Sequence, residues 1–163
     1  GLTGSDAGYV STLFDLCGIP GVIITGWLSD RVFGARRAGI SLIMTILMAL
    51  SCFLLYSAGQ VSVTMFAVGI GLIGFTLYGP DALLTGAGAM DIGSRRAATL
   101  AAGIISGIGS CGPVVQELVI ARMLDTKGGD LGPVFMLLLG SSVAATALLA
   151  VVVVRNRLGH SSV

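Results

Sequence analysis

The feature that most constrains this chain is its succession of apolar stretches, each about 20 residues long and separated by short polar clusters. An α-helix of about 20 residues rises roughly 30 Å, which is the thickness of the hydrocarbon core of a bilayer. Apolar length and polar punctuation therefore predict an all-α membrane protein with five transmembrane helices. The predicted spans are 7–29, 39–58, 62–88, 97–123 and 132–154.

The composition supports a membrane environment and argues against a nucleic-acid partner. The chain is 55% hydrophobic and 10% charged, whereas soluble domains carry about 25% charged residues. Its net charge is only +1, and its arginines are scattered between apolar stretches rather than gathered on one basic face. The lipid bilayer is the first predicted partner.

The arginines predict the orientation of the spans. Because the connections are short, neighbouring helices should run antiparallel, which brings seven arginines to one side. These are Arg31, Arg36, Arg37, Arg95, Arg96, Arg155 and Arg157. By the positive-inside rule that side is cytoplasmic, so we expect a multi-pass integral membrane protein with a cytoplasmic C-terminus. The plasma or inner membrane and the endoplasmic reticulum both remain open as locations.

Neither a cofactor nor a metal site is predicted, and enzymatic catalysis is not expected. Cys17, Cys52 and Cys111 lie in three different spans without paired spacing, which favours apolar packing over a disulfide or a zinc site. The single histidine, His160, lies in the polar tail. An intramembrane enzyme would need a nucleophile with a base, or a metal cluster, at membrane depth.

Two glycine patterns predict close packing of helices. Gly69, Gly71 and Gly74 match a dinucleotide-binding fingerprint, but they lie inside an apolar span with no preceding strand. The fourth span carries Gly103, Gly107, Gly109 and Gly112. Small residues let another helix backbone approach closely, so packing is the expected role of both sets.

Three acidic residues fall inside predicted spans, where a charge costs roughly 2.5–3.5 kcal/mol on insertion scales. Asp15 follows Thr12 by about one turn and could point into the helix bundle, either in a functional or gating role or in a structural ion pair. Asp81 could accept hydrogen bonds from backbone freed by a neighbouring proline, or face water. Glu117 is expected to pair with Arg122 or with another helix.

A short motif at the junction of the first two spans carries the first resemblance. Residues 26–37 read Gly-Trp-Leu-Ser-Asp-Arg-Val-Phe-Gly-Ala-Arg-Arg. They resemble the G-x-L-x-D-R-x-x-G-R-R loop of the major facilitator superfamily, with Ala35 interrupting the usual spacing. The resemblance implies a gating latch in which a carboxylate accepts from a helix N-terminus and arginines pair with acidic groups or lipid phosphate. The implied latch residues are Asp30, Arg31, Gly34, Arg36 and Arg37.

A longer resemblance covers most of the remaining chain. Residues 77–80, 82–84, 87–91 and 95–112 resemble helices ten and eleven of the organophosphate:phosphate antiporters, which include glycerol-phosphate and hexose-phosphate carriers and sugar-phosphate exchangers. Residues 14–19 resemble their helix eight. The five spans would then be helices eight to twelve in the C-terminal half of a carrier. The N-terminal helix bundle and one preceding helix would lie outside this sequence.

This resemblance implies secondary transport, in which an organophosphate is exchanged for inorganic phosphate by alternating access between two helix bundles. Tyr78 matches a cavity-facing tyrosine whose phenol can donate to phosphate, and Ser110 stands where the family has a second cavity tyrosine. Pro80 and Pro113 are expected to break their helices. The family's main phosphate-binding arginines lie on helices one and seven, outside this chain.

A second carrier function remains open from the sequence. A major-facilitator carrier for a sugar, drug or carboxylate would explain the apolar spans and the arginine-rich loop equally well. The exact substrate, the exchange stoichiometry and the oligomeric state are not predicted.

Overall fold

Five long helices make up the part of the chain that the structure describes. The computed structural model describes residues 4–32, 37–58, 62–87, 95–126 and 131–157. Its helices are α1 (Gly4–Arg31), α2 (Arg37–Ala58), α3 (Val63–Ala82), α4 (Arg95–Thr126) and α5 (Gly132–Arg157). One π-helical turn, Leu83–Ala87, continues α3. All five helices are long and apolar enough to cross a membrane, which confirms the predicted all-α membrane fold with five spans.

Helices α1 and α3 run in the same direction. Leu13 near the start of α1 lies against Gly71, whereas Thr25 near its end lies against Gly79. Residue numbers therefore increase in the same direction along both helices. This is the arrangement expected of the first and third spans when neighbouring spans alternate in direction.

Helix α2 runs opposite to α3 and forms the centre of the bundle. Leu55 at its end packs on Gly69 in the first half of α3. Ile40 and Met44 in its first turns share a buried cluster with Leu83. The arginine-bearing end of α2 therefore lies beside the last turn of α3.

Helix α5 packs against α2 and runs parallel to α3. The Phe135 and Phe66 rings near the starts of α5 and α3 lie 6.2 Å apart. Further along, Thr146 Oγ1 donates to the Thr45 backbone oxygen at 3.1 Å and to the Ser142 oxygen one turn earlier at 2.8 Å. The helix directions thus place the ends carrying Arg31, Arg37 and Arg155 on one side, as the alternating topology predicts.

Glycines on α1 and α3 allow their two backbones to touch. A Cβ atom added at Gly21 would overlap the Phe75 carbonyl oxygen, and one added at Gly74 would overlap the Phe14 carbonyl oxygen. A Cα hydrogen of each glycine points toward that oxygen instead. Such Cα–H···O contacts contribute about 0.5–1 kcal/mol each at helix interfaces. The packing role predicted for Gly69, Gly71 and Gly74 is confirmed.

Helix α4 makes few contacts with α1, α2 and α3. Its main neighbours among the described residues are the π-helical turn and α5, and most of its side chains are exposed. Nothing described lies within 4 Å of a Cβ built at Gly103, Gly107, Gly109 or Gly112. The close helix approach predicted for these glycines is therefore not found within the described part of the chain.

The helix break predicted at Pro113 is wrong, whereas near Pro80 the chain leaves α-helical geometry without ending the helix. α3 continues past Pro80 to Ala82, and α4 passes through Pro113 without interruption. A proline removes a single N–H donor, whereas ending a helix in an apolar environment would leave several backbone groups unpaired. The helix widens into the π-helical turn over Leu83–Ala87, and at the start of that turn the Leu83 N–H donates to both the Gly79 and Pro80 oxygens.

The α1–α3 contact predicts a selective loss of stability. Gly21→Ala in the full-length protein should lower the unfolding free energy by about 1–3 kcal/mol, because the new methyl group meets a carbonyl oxygen that cannot move freely. Gly8→Ala, in the same helix with open space at its Cβ, should change it by less than about 0.5 kcal/mol. Thermal unfolding in detergent measures both. Equal stabilities would contradict the contact.

Candidate functional site

Two residues singled out from the sequence meet in the structure. The Tyr78 hydroxyl on α3 donates to Asp15 Oδ1 on α1 at 2.6 Å, across 63 residues of sequence. This distance falls in the range of charge-assisted O–H···O⁻ hydrogen bonds, about 2.5–2.7 Å. We call these two residues the Asp15–Tyr78 pair. The sequence left open a functional or gating role for Asp15 and a structural ion pair. In the structure its side chain accepts a hydrogen bond from a neutral phenol.

The Tyr78 ring is held in place from two sides. Its centroid lies 5.5 Å from that of Phe14, with the planes tilted by 60°. Beneath it lies Gly18, where an added Cβ would come within 2.6 Å of the Tyr78 Cδ2 atom. The ring therefore rests on the α1 backbone, and its hydroxyl is directed along α1 toward Asp15.

The pair lies at membrane depth on a polar edge of α1. Asp15 is seven residues into the Gly8–Arg31 span, about 10 Å along the helix at 1.5 Å per residue. Asp15, Ser11 and Thr12 are all exposed in this chain. Because a carboxylate facing lipid tails is strongly unfavourable, this edge of α1 should face water or polar protein.

Ser110 lies on the separate helix α4. Its exposed hydroxyl donates to the Ser106 backbone oxygen one turn earlier at 2.8 Å. Among the described residues no hydrogen bond joins it to the Asp15–Tyr78 pair. A cavity shared by Tyr78 and Ser110 therefore stays a prediction.

Asp81 faces a different space from the pair. It lies one turn beyond Tyr78, and its exposed side chain lines a cleft of about 340 Å³ between α2, α3 and α5. The other walls are Thr45, Met48, Leu77, Pro80, Leu84, Ala145, Leu148 and Leu149. This cleft is largely apolar, so it offers phosphate neither positive charge nor a set of donors.

The predicted latch is only partly described. Asp30 has an exposed side chain in the last turn of α1, and Arg37 begins α2. The Arg31 guanidinium carbon lies 5.8 Å from the Trp27 ring centroid, a cation–π contact one turn apart. Gly34 and Arg36 lie outside the described residues. The latch therefore stays a prediction.

The cysteines behave as separate thiols. Cys17 packs beside Gly71, Cys52 is buried, and the exposed Cys111 donates to the Gly107 oxygen at 3.7 Å. In the described ranges no group of three or more His, Cys, Asp or Glu side chains is arranged to hold a metal ion.

Comparison with known proteins relates the chain to organophosphate transporters. The glycerol-3-phosphate transporter of Bacillus subtilis is 32% identical over 92% of this chain and 33% of its own length. The glucose-6-phosphate exchanger SLC37A2 of Bos taurus is 33% identical over 98% of this chain and 33% of its length. The chain is homologous to the organophosphate:phosphate antiporters. The resemblance recognised in the sequence is thereby confirmed.

A third relative carries a different kind of name. The membrane sensor protein UhpC of Escherichia coli is 31% identical over 71% of this chain and 26% of its own length. No family model matches the chain. The chain spans about a third of the length of the curated relatives it matches. The five apolar helices and these relatives together make it a multi-pass integral membrane protein.

Neither the support of Tyr78 nor its partner was predicted from the sequence. Residues 14–19 resemble helix eight of the family, but that resemblance predicts no contact of Phe14, Asp15 or Gly18 with Tyr78. Helical spacing relates residues within one helix, whereas these contacts depend on how α1 lies against α3. The Arg31–Trp27 contact, at a spacing of four residues, is a missed interaction between side chains that spacing could have predicted.

The polar edge of α1 predicts a difference in water accessibility. In a full-length protein without its other cysteines, Asp15→Cys should react with a membrane-impermeant charged thiol reagent. Leu16→Cys should react much more slowly, although it lies at almost the same depth, because it is about 100° around the helix on an apolar face. Leu16 is 59% exposed in this chain. Equal reaction rates would show that this edge of α1 does not line an aqueous cavity.

Proposed function

We propose that this chain is part of a secondary transporter that exchanges an organophosphate, such as a sugar phosphate or glycerol phosphate, for inorganic phosphate by alternating access. The observation that carries the proposal is the Asp15–Tyr78 pair, which fixes a phenol at membrane depth beside the exposed polar edge of α1. The relatives named as glycerol-3-phosphate transporters and glucose-6-phosphate exchangers support the same class of solute. They favour it over a carrier of sugars, drugs or carboxylates.

The chemistry proposed for the chain is recognition without bond cleavage. Tyr78 contributes a hydroxyl to the substrate cavity, and Ser110 would contribute a second, smaller one. In the described helices arginine lies only near helix ends, the innermost being Arg122, four residues before the end of α4. A phosphate group needs a positive partner such as a guanidinium fork, which we place outside this chain, in the N-terminal helix bundle and in the helix that precedes α1.

The place of the chain in a carrier follows from the same reasoning. We assign its helices to positions eight to twelve of a twelve-helix major-facilitator carrier, in the C-terminal half. The alternating directions of α1, α2, α3 and α5 support this assignment. The arginine-rich side, including the C-terminus, would be cytoplasmic. Val32→Cys labelled only from the extracytoplasmic side would overturn that orientation.

A second candidate function is sensing without net transport. The similarity to a protein named as a membrane sensor favours this possibility. A sensor would bind the same phosphorylated ligand in the cavity and pass on the resulting conformational change. Measuring binding and exchange on the same preparation separates the two functions, because a sensor would bind the ligand but not exchange it.

Phosphate counterflow tests the proposed exchange and the part of Tyr78 in it. Vesicles that contain the full-length protein should take up labelled phosphate against internal glycerol 3-phosphate or glucose 6-phosphate. Tyr78→Phe should weaken equilibrium binding of these solutes by about 0.5–3 kcal/mol, because it removes one hydroxyl donor to a charged acceptor and keeps the ring. Tyr56→Phe, an exposed tyrosine of α2, serves as the control. Unchanged affinity in both variants would remove Tyr78 from the site.

The proposed latch predicts an effect on rate rather than on binding. Asp30→Asn should slow the interconversion of the inward- and outward-open states, because it removes the charge that latches the two helix bundles. Equilibrium affinity for the substrate should stay within about twofold, since a surface substitution away from the site changes energies by about 0.5 kcal/mol or less. Asp125→Asn, an exposed carboxylate at the end of α4, is the matched control. A large loss of affinity at a normal cycling rate would contradict the latch.

A further inference from the structure

The Tyr78 hydroxyl has a single proton to donate, and in this structure it donates that proton to Asp15 at 2.6 Å. We propose that Asp15 competes with phosphate for the Tyr78 hydroxyl and thereby sets the affinity of the carrier for phosphate. The proposal rests on the proposed function, because it assumes that a phosphate group binds beside Tyr78. It gives Asp15 a positioning role, acting on the substrate through the tyrosine.

The packing around Tyr78 makes this competition unavoidable. Phe14 lies against the ring, and the Gly18 backbone lies directly beneath it. The ring cannot swing away without losing both contacts, so the phenol oxygen stays within reach of Asp15. A phosphate that uses this donor must therefore approach the same oxygen and take the hydrogen bond from the carboxylate.

Taking that hydrogen bond is unfavourable for two separate reasons. Asp15 loses a short bond to its charged oxygen at a depth where few other donors are available. It is also left beside a second negative charge, and like charges repel strongly where water is scarce. The first effect requires the Tyr78 hydroxyl, whereas the second depends only on the charge of Asp15. This difference makes the two effects separable by experiment.

Competition of this kind suits a carrier that must release its substrate. When the cavity is empty, the hydrogen bond from Tyr78 stabilises an otherwise exposed carboxylate. When phosphate binds, the net gain is the difference between two hydrogen bonds to anions rather than the full strength of one. The pair therefore keeps phosphate binding weak enough for exchange without removing the donor that recognises it.

Asp81 provides an internal comparison. It lies one turn from Tyr78 on the same helix and carries the same charge, but it lines the cleft toward α2 and α5. Its Oδ atoms are not the acceptors of the Tyr78 proton. Removing its charge tests general repulsion of phosphate while leaving the acceptor of the Tyr78 proton in place.

The experiment is a double-mutant cycle on binding of inorganic phosphate to the purified full-length carrier. Asp15→Leu removes both the charge and the acceptor, Asp15→Asn keeps a neutral acceptor, and Asp81→Asn removes a charge elsewhere. Each is measured with Tyr78 and with Tyr78→Phe. We expect Asp15→Leu to tighten binding about tenfold with Tyr78 present and only about two- to threefold in the Phe background.

The remaining variants define the outcome. Asp15→Asn should give a smaller gain than Asp15→Leu when Tyr78 is present, because its amide oxygen still accepts from the phenol. Asp81→Asn should give the same modest gain in both backgrounds. Equal gains from Asp15→Leu with and without Tyr78, or weaker binding, would overturn the competition while leaving the proposed function standing. A wild-type carrier that neither binds nor exchanges phosphate would overturn both.

Discussion

The close approach of α1 and α3 is the contact on which the rest of the described structure depends. Gly21 and Gly74 each place a backbone hydrogen against a carbonyl oxygen of the facing helix. In a bilayer the hydrophobic effect contributes little to the association of two apolar helices. The free energy of association must therefore come from close packing at small residues and from short backbone contacts. With the axes this close, Tyr78 can lie flat on Gly18 and reach Asp15.

Most hydrogen bonds made by side chains in the described bundle stay within one helix. Thr12, Ser51, Thr76 and Ser110 all donate to a backbone oxygen one turn earlier. The Asp15–Tyr78 pair is different, because it joins two helices through a charged acceptor. This hydrogen bond can form only while α1 and α3 keep their present distance and orientation. It therefore couples recognition of an anion to the packing of two helices.

The sequence was sufficient for the fold class and not for the contacts within it. Apolar length predicted the five spans, and residues 62 and 132 proved to be real helix boundaries. The break at Pro113 was predicted wrongly because sequence rules weigh one lost donor, whereas the membrane penalises every unpaired backbone group. For the site, membrane depth identified Asp15 and family resemblance identified Tyr78. Only the geometry of the two helices shows that a hydrogen bond joins them.

The π-helical turn Leu83–Ala87 also changes how the residues that follow it should be assigned to helix faces. A π turn holds more than four residues where an α turn holds 3.6, so it advances the chain by roughly one extra residue. A helical wheel drawn outward from Tyr78 is then out of phase by roughly 100° beyond Leu83. Thr85 and Gly86 consequently lie on the helix faces that α-helical periodicity would assign to their neighbours in sequence. When a relative is aligned through this turn, the residues that share a helix face should therefore be shifted by one position.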